Sequence, residues 1–214
     1  MLMMASIIAI CGYIACTGGE FGCKLQSWPD ISHVMGVAPR NKLYSIMLTI
    51  YSCTKQAEAR AYHDKLSAIA SPLFNNLILL AATASFIFGP LIGYFDCYYD
   101  MPHHMLATTI FTAGEAIYVF SVGYLLATNR SNFSASVNQN ITYCVYFLCL
   151  ILVVGLCMSQ GNSYWGISMN QIGEWIAFYS DFFIRYNFAI IMRYTCKVVP
   201  SKNAWILLFG FDIF

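Results

Sequence analysis

Long apolar runs alternate with short polar segments along most of the chain. A transmembrane helix needs roughly 20 mostly apolar residues, and six segments approach or reach that length. They cover residues 1–17, 43–56, 72–96, 104–128, 141–158 and 169–192. The second segment is short and is followed closely by charged residues, and the last one carries three charges. The first has no positively charged start, so it is predicted as a span rather than a signal peptide. The pattern predicts six transmembrane helices.

Composition supports a membrane protein and excludes two other classes. Of the 214 residues, 59% are hydrophobic and only 10% are charged, against about 25% charged residues in soluble domains. A soluble enzyme is therefore excluded. A nucleic-acid-binding protein is excluded because the net charge is +1 and no basic patch exists. We predict an all-α, polytopic membrane helix bundle without a soluble domain. Residues 1–193 form the six-span domain, and 194–214 form a cytosolic hydrophobic tail.

Lysine and arginine in the loops indicate orientation, because they are enriched on the cytosolic side. Six spans with a cytosolic N-terminus place Lys24, Arg40 and Lys42 outside and the remaining loop charges, including Lys55, Arg60 and Lys65, in the cytosol. Five spans, with 43–56 not crossing and the N-terminus outside, place all of them in the cytosol. Charge alone slightly favours five spans. Both topologies place the loop with the sequons at Asn129, Asn132 and Asn140 in the cytosol, so these are predicted to be chance matches.

The loop after the first span carries a short motif. Trp28, Pro29, Ile31 and Ser32 are followed by a second proline, Pro39, and then by the weak second span. This arrangement resembles the Frag/DRAM/Sfk family of six-pass membrane proteins, and within it the post-GPI-attachment factor branch, which acts in lipid remodelling of GPI anchors. The turn from Asp96 to His104 and the Glu174–Trp175 pair that opens the last span are also similar. The chain departs from the pattern in lacking a tail before the first span and in its polar second span.

The resemblance implies six spans, cytosolic termini and a lumenal first loop, and we prefer that topology. It also implies the endoplasmic reticulum or Golgi as the location and a phospholipid or GPI lipid as the partner. The predicted function is to bind or present such headgroups at the lumenal side. The alternative is a non-catalytic membrane subunit of a larger complex, such as a lipid-transfer assembly. In that case the apolar run from Trp205 to Phe214 would contact the partner.

Ionisable residues inside predicted spans are candidates for function, because they are costly in lipid. Glu115 lies near the middle of the fourth span, where it either bonds to a neighbouring helix or contacts a headgroup. Asp181 and Arg185 are four residues apart on one helical face and are predicted to form a structural ion pair. Glu174 shares that face but lies near the lumenal end, within reach of a headgroup.

The predicted lumenal turn concentrates polar chemistry. Asp96, Asp100, His103 and His104 are candidate headgroup ligands, with simple interfacial solvation as the alternative. No metal site is predicted, because adjacent histidines on a helix point about 100° apart. No cofactor is predicted either. No nucleophile motif is present, and Ser32 beside His33 lacks a third group that would make a working dyad. Whether the protein is an enzyme stays open.

The sequence contains nine cysteines, so at least one is unpaired. Most lie within predicted spans, where a free cysteine behaves as a small hydrophobic residue. Cys23 and Cys97 would both be lumenal under six spans, in an oxidising compartment. A Cys23–Cys97 bridge is therefore one alternative.

Overall fold

The described part of the chain is helical throughout and contains no strand. The computed structural model describes residues 2–24, 27–159 and 169–195. The predicted tail, including Trp205 and Phe214, lies outside these residues from position 196 onwards. These three ranges contain seven α-helices: α1 Leu2–Thr17, α2 Ile31–Gly36, α3 Arg40–Leu66, α4 Pro72–Tyr94, α5 Met101–Thr128, α6 Ala135–Ser159 and α7 Met169–Thr195.

Three of these helices are long and apolar enough to cross a membrane, and the chain is an integral membrane protein. The three segments are Pro72–Tyr94, Met101–Thr128 and Ala135–Gly155. Met4–Thr17 is a shorter apolar helix. Helices α3 and α7 have 27 residues each, which corresponds to about 40 Å of helix and exceeds the thickness of the hydrocarbon core. Both carry charged residues, and neither is among the three apolar segments.

Most of the helices pack against the helix that follows them in the sequence, and the connections between them lie at the two ends of the bundle. Helix α4 packs against α3 and α5, and α6 packs against α5 and α7. The short helix α2 lies across one end, where it contacts α1, α3 and α7. We call this the α2 end; it also contains the turn between α4 and α5. The opposite end, with the α3–α4 and α5–α6 connections, is the far end.

Buried apolar side chains form two separate clusters. One lies toward the α2 end and includes Ile8, Met35 and Tyr51. The other lies toward the far end and includes Tyr62, Ile141 and Phe188. Buried polar and charged side chains from α3, α5 and α7 lie between them. The interior is therefore divided into two apolar halves by a polar layer.

Helix α3 extends well beyond the predicted second span and ends at Leu66. The assignment of Lys55 to a cytosolic loop was wrong: this residue lies inside the helix and is only 5% exposed. Its charge is tolerated there because carboxylates on two other helices surround the ammonium group. Lys55 therefore belongs to the bundle interior and not to a loop.

Close packing between α3 and α4 depends on Gly93. A Cβ atom at this position would lie 2.5 Å from the Cα atom of Ser45 on α3. A backbone atom cannot move aside as the end of a flexible side chain can. Glycine at this position therefore allows the last turn of α4 to lie directly against α3.

We expect Gly93→Ala to destabilise the bundle by about 1–3 kcal/mol, the usual range for overpacking. Thermal unfolding of the purified protein in detergent is the measurement. Gly155→Ala is the matched control, because a Cβ atom there meets no heavy atom within 4 Å. That change should be neutral or stabilise the helix by up to about 1 kcal/mol. Equal melting temperatures for the two variants would contradict the role given to Gly93.

Candidate functional site

Five ionisable side chains meet in the middle of the bundle, and we call them the central polar layer. They are Lys55, Glu58, Glu115, Asp181 and Arg185. Arg185 is 1% exposed, and its guanidinium contacts both Asp181, with Nε 3.0 Å from Oδ2, and Glu115. Lys55 bonds to Glu115 and lies 3.3 Å from Asp181. Each cation is therefore shared between the same two carboxylates, which ties α3, α5 and α7 together.

Aromatic side chains complete this layer. The Tyr51 hydroxyl donates a hydrogen bond of 2.8 Å to Asp181, and the Lys55 ammonium lies 3.9 Å from the centre of the Tyr51 ring. The Arg185 guanidinium lies 5.1 Å from the centre of the Tyr118 ring. Cations are attracted to the faces of aromatic rings at these separations. The rings therefore shield the charges from the apolar clusters while adding attraction of their own.

The layer lies close to the middle of its helices. Glu115 is 14 residues from the start of α5, and Arg185 is 16 residues from the start of α7, which places them about 21 Å and 24 Å along helices of about 40 Å. The Lys55 position on α3 is equivalent. A polar lipid headgroup does not reach this depth.

Two predicted site residues in α7 and one in α5 belong to this layer. Asp181 and Arg185 pair with each other, and Glu115 bonds to residues of two neighbouring helices. Sequence reasoning missed Lys55 and Glu58. The signal was present in α3, whose buried positions include Tyr51, Lys55, Glu58 and Tyr62, spaced three and four residues apart as on one helical face.

Removing the charge of Arg185 should destabilise the fold strongly. Arg185→Gln leaves three buried carboxylates facing Lys55 alone, and breaking a buried ion pair costs about 3–5 kcal/mol. The measurement is the yield and melting temperature of monomeric protein in detergent. Arg60→Gln is the matched control, because Arg60 lies on the same bundle but is exposed.

The double variant Arg185→Gln with Glu115→Gln separates charge from shape. It removes one of the three carboxylates left to share Lys55, so it should be more stable than Arg185→Gln alone. If the double variant is no more stable than the single one, the charges are not what couples these helices.

At the α2 end, a local cap starts the short helix. The Asp30 carboxylate accepts a 2.7 Å hydrogen bond from the backbone N–H of His33, and the same carboxylate pairs with the His33 ring. This is the usual capping of a helix N-terminus by aspartate. Because the His33 Nδ1 atom pairs with the Asp30 carboxylate, the His33 ring is directed toward Asp30 and not toward its neighbour Ser32.

Other elements hold α2 through its backbone. The Trp175 indole donates a 2.9 Å hydrogen bond to the carbonyl of Pro29, and the N–H of Ile31 donates to Glu174 over 3.3 Å. On the other side, the Tyr98 hydroxyl donates to the carbonyl of His33 over 3.3 Å. Glu174, predicted as a headgroup ligand, thus accepts a hydrogen bond from the motif that carries Pro29 and Ile31.

A small cavity, with room for about one water molecule, lies between α2, α3 and the α4–α5 turn. Its polar lining consists of Ser32, Asn41, Tyr44, Asp96 and His104. Asp96 is held in place, because it accepts a 3.1 Å hydrogen bond from Asn41 and a 2.8 Å bond from the backbone of Tyr98. His104 is only 4% exposed. Of the predicted ligands, these two therefore line the cavity rather than project from the surface.

Cys97 also lines this cavity, as a free thiol. Its Sγ donates to the Ser32 carbonyl over 3.4 Å. Burial, reinforced by the nearby carboxylates of Asp96 and Asp30, raises the pKa of the Cys97 thiol to about 11. The thiol is therefore neutral at physiological pH and is not a nucleophile there.

Asp100 and His103 form an accessible pair beside the cavity. The His103 Nδ1 lies 2.7 Å from the Asp100 carboxylate, and the two side chains are 63% and 40% exposed. Three exposed tyrosines, Tyr94, Tyr98 and Tyr99, lie at the end of α4 and in the turn that leads to this pair. The structure thus brings Asp96, Asp100, His103, His104 and Glu174 to one end of the bundle, and it places Glu115 in the central polar layer instead.

The disulfide at this end differs from the alternative considered from the sequence. Cys23 is bonded to Cys16 at the end of α1, with Cα atoms 5.6 Å apart, and Cys97 is free. The Cys23–Cys97 bridge is therefore absent. The turn after α1 brings Cys23 back to the helix end, whereas Cys97 packs under α2.

Neither a metal site nor a comparison with known proteins identifies a function. Within residues 2–24, 27–159 and 169–195, no group of three or more His, Cys, Asp or Glu side chains is arranged to hold a metal ion. No protein-family model, curated protein or solved structure matches the chain. Its function has to be inferred from the two polar sites.

Proposed function

We propose that the protein binds phospholipid or GPI-type headgroups at the α2 end. The observation that carries this proposal is the accessible Asp100–His103 pair beside a polar cavity, within a group of exposed tyrosines. Tyrosine is enriched where a membrane protein meets the headgroup layer. The central polar layer, in contrast, is too deep to serve as a headgroup site.

The chemistry of this pair suits a headgroup that carries both amine or hydroxyl groups and phosphate. The Asp100 carboxylate accepts hydrogen bonds from sugar hydroxyl or ethanolamine groups, and a protonated His103 donates to phosphate. A GPI headgroup offers all of these partners. The residues of the Frag/DRAM/Sfk-like motif support the same site, because Pro29, Ile31 and Ser32 all contact residues at this end.

The orientation belongs to the same proposal. The Cys16–Cys23 disulfide lies at the α2 end, and disulfides persist in oxidising compartments. We therefore place the α2 end in the lumen of the endoplasmic reticulum or Golgi, with six spans and cytosolic termini. This orientation puts the loop that contains Asn129 and Asn132 in the cytosol, where these sequons are not glycosylated.

Cysteine labelling in sealed microsomes tests this topology. Tyr99 and Asp64 are highly exposed and lie at opposite ends, so we expect Tyr99→Cys to react with an impermeant maleimide only after permeabilisation. Asp64→Cys should react in intact vesicles. Labelling above that of the parent protein is the measurement, since the parent has free cysteines of its own. The reverse pattern would place the α2 end in the cytosol.

Competition between lipids tests the binding site. Purified protein is mixed with equal amounts of glucosaminyl-phosphatidylinositol and phosphatidylcholine, and the retained lipid is measured by native mass spectrometry. We expect the wild type to prefer the first lipid. Asp100→Asn with His103→Ala should reduce that preference at least about tenfold, because hydrogen bonds to charged groups contribute about 1.5–3 kcal/mol.

Asp64→Asn is the matched control, since it removes an exposed carboxylate at the far end. It should retain the wild-type preference. If wild type and double variant retain both lipids equally, direct headgroup binding is contradicted. A non-catalytic subunit of a larger complex then becomes the better interpretation.

A further inference from the structure

Ser32 and His104 are brought into contact across 72 residues of sequence. The Ser32 Oγ lies 3.1 Å from the His104 Nε2, because α2 lies over the first turn of α5. This distance is within the range for a nucleophile and its general base. The neighbouring ring of His33 is held by Asp30 and takes no part.

The tautomer of the neutral His104 ring follows from its other contacts. The Nδ1 atom lies 2.8 Å from the carbonyl oxygen of Phe95 and 3.1 Å from that of Ile92. Carbonyl oxygens only accept hydrogen bonds, so Nδ1 carries the hydrogen and the neutral ring presents a lone pair at Nε2. The Ser32 hydroxyl then donates to that lone pair.

These two carbonyls are available because α4 ends there. The last carbonyls of a helix have no partner within it, and α4 ends at Tyr94. They hold the imidazole in one tautomer and one orientation, which is the role of the third group in a serine–histidine catalytic arrangement. The sequence alone offered Ser32 no such group.

From this geometry we propose that Ser32 is a catalytic nucleophile, that His104 is its general base, and that the substrate is a carboxylic ester of a membrane lipid. The identity of the substrate as a lipid rests on the proposed function. The assignment of Ser32 as the nucleophile does not depend on the proposed function.

Ser32 is only partly buried and lies at the α2 end, where the proposed function places lipid headgroups. It lines the small cavity together with the apolar side chains of Met35, Ile92 and Phe95 and the phenol of Tyr44.

The reaction is acyl transfer and needs no oxidant or reductant. The Ser32 hydroxyl gives its proton to His104 Nε2 while its oxygen attacks the ester carbonyl carbon. The bond from that carbon to the alcohol oxygen breaks, and the leaving alcohol takes the proton from Nε2. An acyl-serine remains. A second hydroxyl, from water or a lipid alcohol, then attacks the acyl carbon, gives its proton to Nε2, and releases Ser32 with that proton.

A fluorophosphonate probe tests the nucleophile without any lipid. The serine oxygen attacks phosphorus and fluoride leaves, so a stable adduct forms. Purified full-length protein is treated with the probe, and the adduct is located by peptide mass spectrometry. We expect modification of wild-type Ser32, loss of that adduct in Ser32→Ala, and labelling at least about 100-fold slower in His104→Gln, as expected for loss of a general base.

Ser134→Ala and His63→Gln are the matched controls, because both residues lie at the far end. They should label at the wild-type rate. The measurement on wild-type protein stands even if His104→Gln fails to fold. No adduct on Ser32, or equal labelling of other serines, would overturn the proposal even when the protein prefers a GPI-type lipid. An adduct on Ser32 supports the nucleophile even when no lipid preference is found.

Discussion

Burial of the Arg185 guanidinium dictates how three helices of the bundle can pack together. A cation in the middle of a membrane bundle is costly unless carboxylates surround it. Here α7 supplies Asp181, α5 supplies Glu115, and α3 adds Lys55 and Glu58. Sliding one helix by a single residue would move its side chain by about 1.5 Å and rotate it by about 100°. The ionic contacts therefore fix the relative register of three helices, which apolar packing alone specifies less strictly.

That register decides what meets at the α2 end. With α3, α5 and α7 fixed at their centres, the start of α7 brings Glu174 and Trp175 beside the loop after α1, and the start of α5 brings His104 beneath α2. Helix α2 has only six residues, too few to be stable alone in water. It is held by hydrogen bonds to its backbone and to the loop before it. A change in the central polar layer that shifts α5 or α7 should therefore also move the residues of those helices that hold α2.

The sequence predicted those features that depend on local spacing. Asp181 and Arg185 were recognisable as a pair because they are four residues apart. Lys55 and Glu58 were not, because charges that follow a short apolar run are typical of a loop as well as of a buried helical face. The contact between Ser32 and His104 depends on how α2 lies over α5, and no local pattern encodes it. The Cys16–Cys23 bridge was missed because Cys16 falls within the first predicted span, at its end, where a cysteine was interpreted as a small hydrophobic residue. The family resemblance and the role of the tail stay predictions.

The two polar sites differ in what their groups are free to do. In the central polar layer, Arg185, Glu115 and Asp181 are each engaged by partners on other helices, so a ligand would have to displace strong internal contacts. At the α2 end, the Asp100–His103 pair is exposed, and the Ser32 hydroxyl already lies against His104, the group that takes its proton in the proposed reaction. His104 is 11 residues from Glu115 on the same helix, about 16 Å away. Binding and chemistry at the α2 end can thus proceed without disturbing the ions that hold the helices in register.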